Sequence, residues 1–250
     1  MRRLPAAIAA ALVVGLAAPA PAAVEQAPPP PRIERLGRSV DGRPINVVRI
    51  GDPAAARKVL VVGCIHGNEP EGRKIVDLLR GAVPPPGTEL LLVRDINPDG
   101  LQRHTRQNAH LVDLNRNSSQ GRRFLGGPGT PYYAGPKAFS EPETRAIRAL
   151  ILRVRPAVTI WYHQPFGVVD RPETGSDAIA RAYSRISGLR FSPLAPRPGS
   201  MSRWENVRVR PGSSIVVELP PGRLSAASAQ RHAAAVLALA SGAAAAPAGA

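Results

Sequence analysis

Apolar residues fall into two rhythms along this chain. Unbroken runs at Val59-Leu60-Val61-Val62, Leu90 to Val93, Ala157 to Tyr162 and Ser214 to Leu219 predict strands buried on both faces. Elsewhere apolar residues recur at helical spacing. Ile75, Val76, Leu78 and Leu79 predict one helix, and Ile147, Leu150, Ile151 and Val154 another. Ser140 with Glu143 three residues later predicts a capping box at the start of the second. Two further helices are predicted over Thr174 to Ile186 and Leu224 to Ala240. Arg35 to Ile50 reads as two short strands about the turn Asp41-Gly42. Strands and helices alternate, which predicts a single α/β domain with a mostly parallel sheet flanked by helices. Ser118 to Phe139 breaks both rhythms. It is long and rich in Gly and Pro, and is expected to form the rim of a site.

The ends carry other patterns. Arg2 and Arg3, the apolar stretch Ala6 to Ala18 and the A-x-A signal Ala20-Pro21-Ala22 predict a signal peptide over residues 1–22. The stretch is too short to span a bilayer. No cysteine follows it, which excludes a lipoprotein anchor. Residues 23–32 read as a Pro/Ala-rich linker, 33–240 as the folded domain and 241–250 as a disordered tail. The expectation is an exported, extracytoplasmic protein with no stable membrane anchor after signal cleavage.

Composition narrows the chemistry. The 250 residues contain one cysteine, Cys64, so neither an internal disulfide nor a four-cysteine zinc module is available. The net charge of +15 comes from scattered arginines, and aromatics make up only 4%, which is poor material for stacking nucleic-acid bases. No nucleic-acid partner is expected.

Polar residues gather where the buried runs end, which is where open α/β sheets bind ligands. His66 and Glu69 follow the first run, His163 ends the third, and Glu218 lies near the end of the fourth. A short-spaced pair with a distant third ligand is the arrangement of a catalytic zinc site, and a set of His and carboxylate without thiolate suits that ion. His-x-x-Glu alone recurs by chance, and a lone Glu218 would more often pair with an arginine. The convergence of four such residues on neighbouring strand ends is what gives the pattern weight. Arg106 and Arg116 offer guanidinium forks for a carboxylate or an oxyanion.

Six ordered segments carry a family pattern. They are Gly37 to Ile45, Gly63 to Glu69, Asn97-Pro98-Asp99-Gly100, Thr105-Arg106-Gln107-Asn108 with Val112 to Asn117, Phe139 to Thr144, and His163 with Val217-Glu218-Leu219. Together they resemble the zinc carboxypeptidases of the carboxypeptidase A type. The resemblance implies a three-layer fold and one Zn2+ per chain held by His66, Glu69 and His163. It implies Glu218 as general base and acid, Arg106 as the carbonyl-polarising arginine, and Asn115 and Arg116 as the holders of a substrate carboxylate. The chain looks most like the murein peptide amidase branch, through Ser140 to Thr144, Pro198-Gly199-Ser200 and Trp204. That branch implies hydrolysis of γ-D-glutamyl-meso-diaminopimelate in peptidoglycan peptides, so the expected partner is a wall-derived peptide. Three alternatives stay open: a general carboxypeptidase, a deacylase like succinylglutamate desuccinylase and aspartoacylase, and a non-catalytic wall-binding module.

The chain departs from the pattern in places. His110-Leu111 stands where the family has a glycine with a small or polar neighbour, and Ser118 stands where it has an aromatic. The active-site tyrosine of digestive carboxypeptidases has no evident counterpart. Trp204 lies in that region, and Tyr132 and Tyr133 lie on the long loop.

Overall fold

A computed structural model describes residues 29–242. The expected signal peptide, most of the linker and most of the tail lie outside the described residues. The elements run β1 (Arg32–Arg38), β2 (Pro44–Gly51), β3 (Arg57–Val62), α1 (Gly72–Leu79), β4 (Thr88–Val93), α2 (Pro98–Arg103), α3 (Pro142–Val154), β5 (Val158–His163), β6 (Val168–Asp170), α4 (Asp177–Ser187), β7 (Arg190–Ser192), α5 (Met201–Arg208), β8 (Ser213–Glu218) and α6 (Ala226–Ala240). The first strand thus begins on Arg32, the last residue of the expected linker. A 3-10 turn spans Leu114–Arg116.

One sheet runs β1-β2-β4-β3-β5-β8-β6-β7. Its centre, β4-β3-β5-β8, is parallel, and the antiparallel pairs lie toward the edges. Successive residues of the central strands enter different cores. Val59, Val61, Ile160, Tyr162, Ile215 and Val217 pack with α1, α4 and α6 on one face. Leu60, Val62, Trp161 and Val216 pack with α3 and α5 on the other. Burial on both faces is why these strands read as unbroken apolar runs.

The capping box is not formed. Glu141 occupies the N-cap of α3 and makes no side-chain cap. Ser140 Oγ instead donates to Glu141 Oε1 and accepts from Asn117 Nδ2 at 2.9 Å. The Glu143 carboxylate accepts from Val40 N at 3.0 Å and Asn108 Nδ2 at 3.1 Å. Tertiary partners outcompete the local cap, because Asn117 lies buried and needs acceptors and donors around it. The helix expected from Thr174 begins at Asp177, where Ser176 caps Ile179 N. The short helices α2 and α5 and the short strands β6 and β7 carry no periodicity long enough to read.

Candidate active site

Parallel register sets the geometry. His163 on β5 pairs with Glu218 on β8, and both lie on the α3/α5 side, in line with Trp161 and Val216. Just past the end of β3, beside β5, the chain turns sharply and presents His66 and Glu69 together. Gly67 lets that turn approach α2 closely. A Cβ there would sit 1.9 Å from the carbonyl carbon of Gly100, so the turn and the helix touch through backbone alone. Asn97 fastens them: its Oδ1 caps Gly100 N at 2.9 Å and its Nδ2 donates to Ile65 O at 3.2 Å. Asp99 then accepts from Ser39 Oγ at 2.7 Å and Asp41 N at 3.0 Å, which ties in the Gly37 to Ile45 segment.

The three expected ligands meet. Glu69 Oε2 lies 3.0 Å from His66 Nδ1 and 2.9 Å from His163 Nδ1, and the two Nδ1 atoms are 3.2 Å apart. All three side chains are buried. His66 Nε2 faces Asp113 Oδ1 at 3.0 Å, and His163 Nε2 faces Asn115 Nδ2 at 3.2 Å. Two imidazole nitrogens and a carboxylate oxygen turned on one point, with a carboxylate behind the first imidazole, fit a zinc ion. The charges are mutually supporting. Burial works against ionised Glu69 and Asp113, but the neighbouring imidazoles outweigh it and hold both well below the usual carboxylate range. Burial also works against His66, yet Glu69 and Asp113 raise it, while burial lowers His163.

Arg106 is built into this cluster. Its Nη1 donates to Glu69 Oε1 at 3.1 Å and its Nε to Asp113 Oδ2 at 2.9 Å. Asn115 lies on the 3-10 turn that follows Asp113, with Oδ1 accepting from Met201 N at 2.9 Å. Arg116 Nη1 donates to Asn115 O at 2.7 Å. Burial, with Arg106 and Arg197 nearby, lowers the Arg116 pKa from its usual value. Glu218 is buried; its Oε1 lies 3.2 Å from Arg197 Nη1, and Oε2 has no hydrogen-bond partner among the described residues. The arginine pairing open for Glu218 in the sequence is therefore present alongside its place in the site.

These residues line one cavity of about 270 Å³, together with Tyr132, Gln164, Pro165, Phe166 and Arg197. Every site residue expected from the sequence is present in it. Asp113 and Arg197 carry no such signal in the sequence. Asp113 lies within Val112 to Asn117, but nothing in the sequence pairs it with His66. Arg197 is one of many arginines and is distinguished only by its fold position. The long loop does form part of the rim. The Tyr132 ring faces Arg106 and Arg116, 5.4 and 5.3 Å from their guanidinium carbons, whereas Tyr133 is not among the lining residues. Trp204 is buried edge-on against Phe139, away from the cavity. Leu111 has a φ of 61°, a left-handed conformation that a glycine adopts without strain. Ser118 bonds to Ser200 O at 2.9 Å and to Gly199 O at 3.0 Å, using its position to anchor the segment that follows Arg197. Gly199, at φ 73°, lies so close to Arg116 O that a Cβ would come within 2.1 Å.

Comparison with known proteins agrees with this geometry. Residues 22–79 and 87–184 match the zinc carboxypeptidase family, so the match ends before Arg197 and Glu218. Murein peptide amidase A of Escherichia coli (strain K12) is 31% identical over 191 residues, 70% of this chain and 76% of that protein. The Vibrio campbellii protein of the same name is 30% identical over 205 residues, 74% of this chain and 78% of that one. Among solved structures, murein-tripeptide amidase from Escherichia coli O157 superposes with a TM-score of 0.61 at 24% identity, covering 90% of this chain and 96% of that one. Carboxypeptidase A from Helicoverpa armigera superposes with a TM-score of 0.69 at 19% identity, covering 85% and 69%. The three-layer fold is thus that of the zinc carboxypeptidases, and with the family match extending over more than half of its length the chain belongs to the zinc carboxypeptidase family.

Proposed function

We propose that this hydrolase is an exported zinc peptidase that cleaves the amide bond between γ-D-glutamate and meso-diaminopimelate in peptidoglycan peptides. The observation that carries the reading is the convergence of the His66–Glu69–His163 cluster, Glu218 and Arg116 on one cavity. His66, Glu69 and His163 would hold the ion. Zinc bound there supplies a Lewis acid and lowers the pKa of a water to about 7.

The protein groups then divide the work. Glu218, in its apolar wall beside Val216 and Val217, takes a proton from the attacking water and passes it to the departing amine. Arg106, fixed by Glu69 and Asp113, presents its remaining donors to the developing oxyanion. Asn115 and Arg116 hold the free carboxylate of the leaving amino acid. Asp113 keeps His66 oriented. The murein specificity is supported by the relatives named murein peptide amidases, and the extracytoplasmic location by the leader pattern of residues 1–22. Among the described residues no helix is long and apolar enough to cross a membrane.

The test supplies zinc to the purified protein and compares L-Ala-γ-D-Glu-meso-diaminopimelate with α-peptides ending in Lys, Arg or Phe. Release of diaminopimelate at far higher kcat/KM supports the reading. Preference for an α-peptide overturns it in favour of a general carboxypeptidase.

A further inference from the structure

Three guanidiniums face the cavity, and they are held very differently. Arg106 is committed to Glu69 and Asp113. Arg116 is bonded to a backbone carbonyl, and none of the ion pairs among the described residues involves it. Among the described residues Arg197 has a single ion pair, to Glu218 Oε1 at 3.2 Å. A guanidinium carries five N–H donors, so one contact leaves most of its capacity unused. Two arginines with donors to spare on one small cavity are more cationic capacity than one substrate carboxylate requires.

Arg197 also stands at a junction. It lines the catalytic cavity and, with Asn115, an adjoining cleft. Asp170 and Glu173 line that cleft too, Glu173 paired with Arg203 Nη2 at 3.2 Å, and Thr174 Oγ1 is buried there with no hydrogen-bond partner among the described residues. The cleft therefore offers acceptors for an ammonium beside the guanidinium of Arg197. A side chain ending in both an ammonium and a carboxylate matches this pairing of charges.

The ion pair has a cost to the reaction. Arg197 on Oε1 occupies one of the two carboxylate oxygens with which Glu218 would meet a water. The segment carrying Arg197 is anchored just beyond it, by Gly199 N to Gln120 O at 2.9 Å and Ser118 N to Gly199 O at 3.0 Å, which leaves the Arg197 side chain itself free to change partner.

We propose that Arg197 is a specificity-determining residue that reads a second carboxylate, on the side chain of the leaving amino acid. When such a substrate binds, Arg197 exchanges Glu218 for that carboxylate and releases the base. Substrates without it leave Arg197 on Glu218 and turn over slowly. The inference rests on the peptidase reading above and adds how the site selects within it.

Two peptides isolate the point, L-Ala-γ-D-Glu-meso-diaminopimelate and L-Ala-γ-D-Glu-L-Lys. They differ in the far carboxylate and share every other charged group. The zinc-supplied parent should favour the first by roughly tenfold or more. Arg197→Ala should lower kcat/KM for the first by a similar factor and raise kcat for the second. Arg197→Lys should restore part of the preference. Equal losses on both peptides, in variants with parental melting temperature and zinc content, overturn the proposal and leave the peptidase reading intact. Hydrolysis of neither peptide by the parent overturns the peptidase reading. Calorimetry with free meso-diaminopimelate and L-lysine then judges Arg197 separately. Tighter binding of diaminopimelate that disappears in Arg197→Ala supports its role, and equal affinities overturn it.

Discussion

The two halves of the cavity are built on different terms. On the metal side, both nitrogens of His66, both oxygens of Glu69 and both oxygens of Asp113 have partners within 3.2 Å. The ligands come from neighbouring strand ends and a loop pinned by Gly67 and Asn97. On the substrate side, Arg116 and Arg197 come from a 3-10 turn and a loop, Tyr132 from the long rim, and one oxygen of Glu218 is unpartnered among the described residues. A cation that stays must find its donors already in place. A substrate that comes and goes must find donors not already spent. The chain puts its hydrogen bonds where the first condition applies and withholds them where the second does.

The sharpest way to break this contrast is at Glu218, the group that serves both halves. Glu218→Gln should lower kcat by about 10²- to 10⁴-fold. Zinc content, measured by elemental analysis, should stay at the parental level, because Gln keeps the shape and the ligands are untouched. Loss of zinc together with turnover would show that the two halves are not separable. On the metal side the corresponding change is Asp113→Asn. It removes the carboxylate behind His66 and one anchor of Arg106, and should weaken zinc binding by about 10- to 100-fold. Competition with a chelator reads this directly, and unaltered affinity would mean that Glu69 alone orients the cluster.

The same contrast explains what could be read from sequence. The central strands were legible because burial on both faces leaves an unbroken apolar signature. The metal ligands were legible because they occupy strand ends at a spacing that few other demands produce. Asp113 lies in a legible segment but its role is not legible, since its distance from His66 in the chain hides a 3.0 Å contact. Arg197 was invisible for a further reason: one arginine among many has no local mark, and its meaning comes only from facing Glu218. The capping box misled because Ser140 and Glu143 have the right spacing but are drawn to Asn117, Asn108 and Val40, all distant in sequence.

On the substrate side, Arg116→Ala should raise KM about tenfold or more for peptides with a free terminal carboxylate. Peptides amidated at that carboxylate should lose little. The two substrate forms, compared at fixed zinc, separate a lost carboxylate contact from damage to the metal side. An equal loss on both would assign Arg116 to the scaffold.

The smallest effect on turnover is expected beneath the cavity, at Glu205. This buried residue of α5 accepts from Thr159 Oγ1 and Trp161 Nε1 on β5, and so clamps the helix to the strand that carries His163. Burial pushes its carboxyl up to about 7 from an ordinary 4.5, because the hydrogen bonds from Thr159, Trp161 and Ser214 only partly offset the lost hydration. Below about pH 4.5 the group is protonated whether the chain is folded or not. Between there and pH 7 the unfolded chain gives up this proton first, so the folded state loses stability as pH rises. Above pH 7 the group is ionised in both states and its penalty is constant. Glu205→Gln cannot ionise, and Trp161 retains Ser214 Oγ as an acceptor at 2.9 Å. The variant should therefore show a shallower decline in urea midpoint from pH 5 to pH 8 than the parent, with turnover of the folded enzyme near the parental value. Identical declines would mean that the carboxyl titrates alike in both states. Reduced turnover at parental stability would mean that the clamp on β5 also sets the position of His163, and that the loosely held half of the cavity is not the only part tuned from outside the metal cluster.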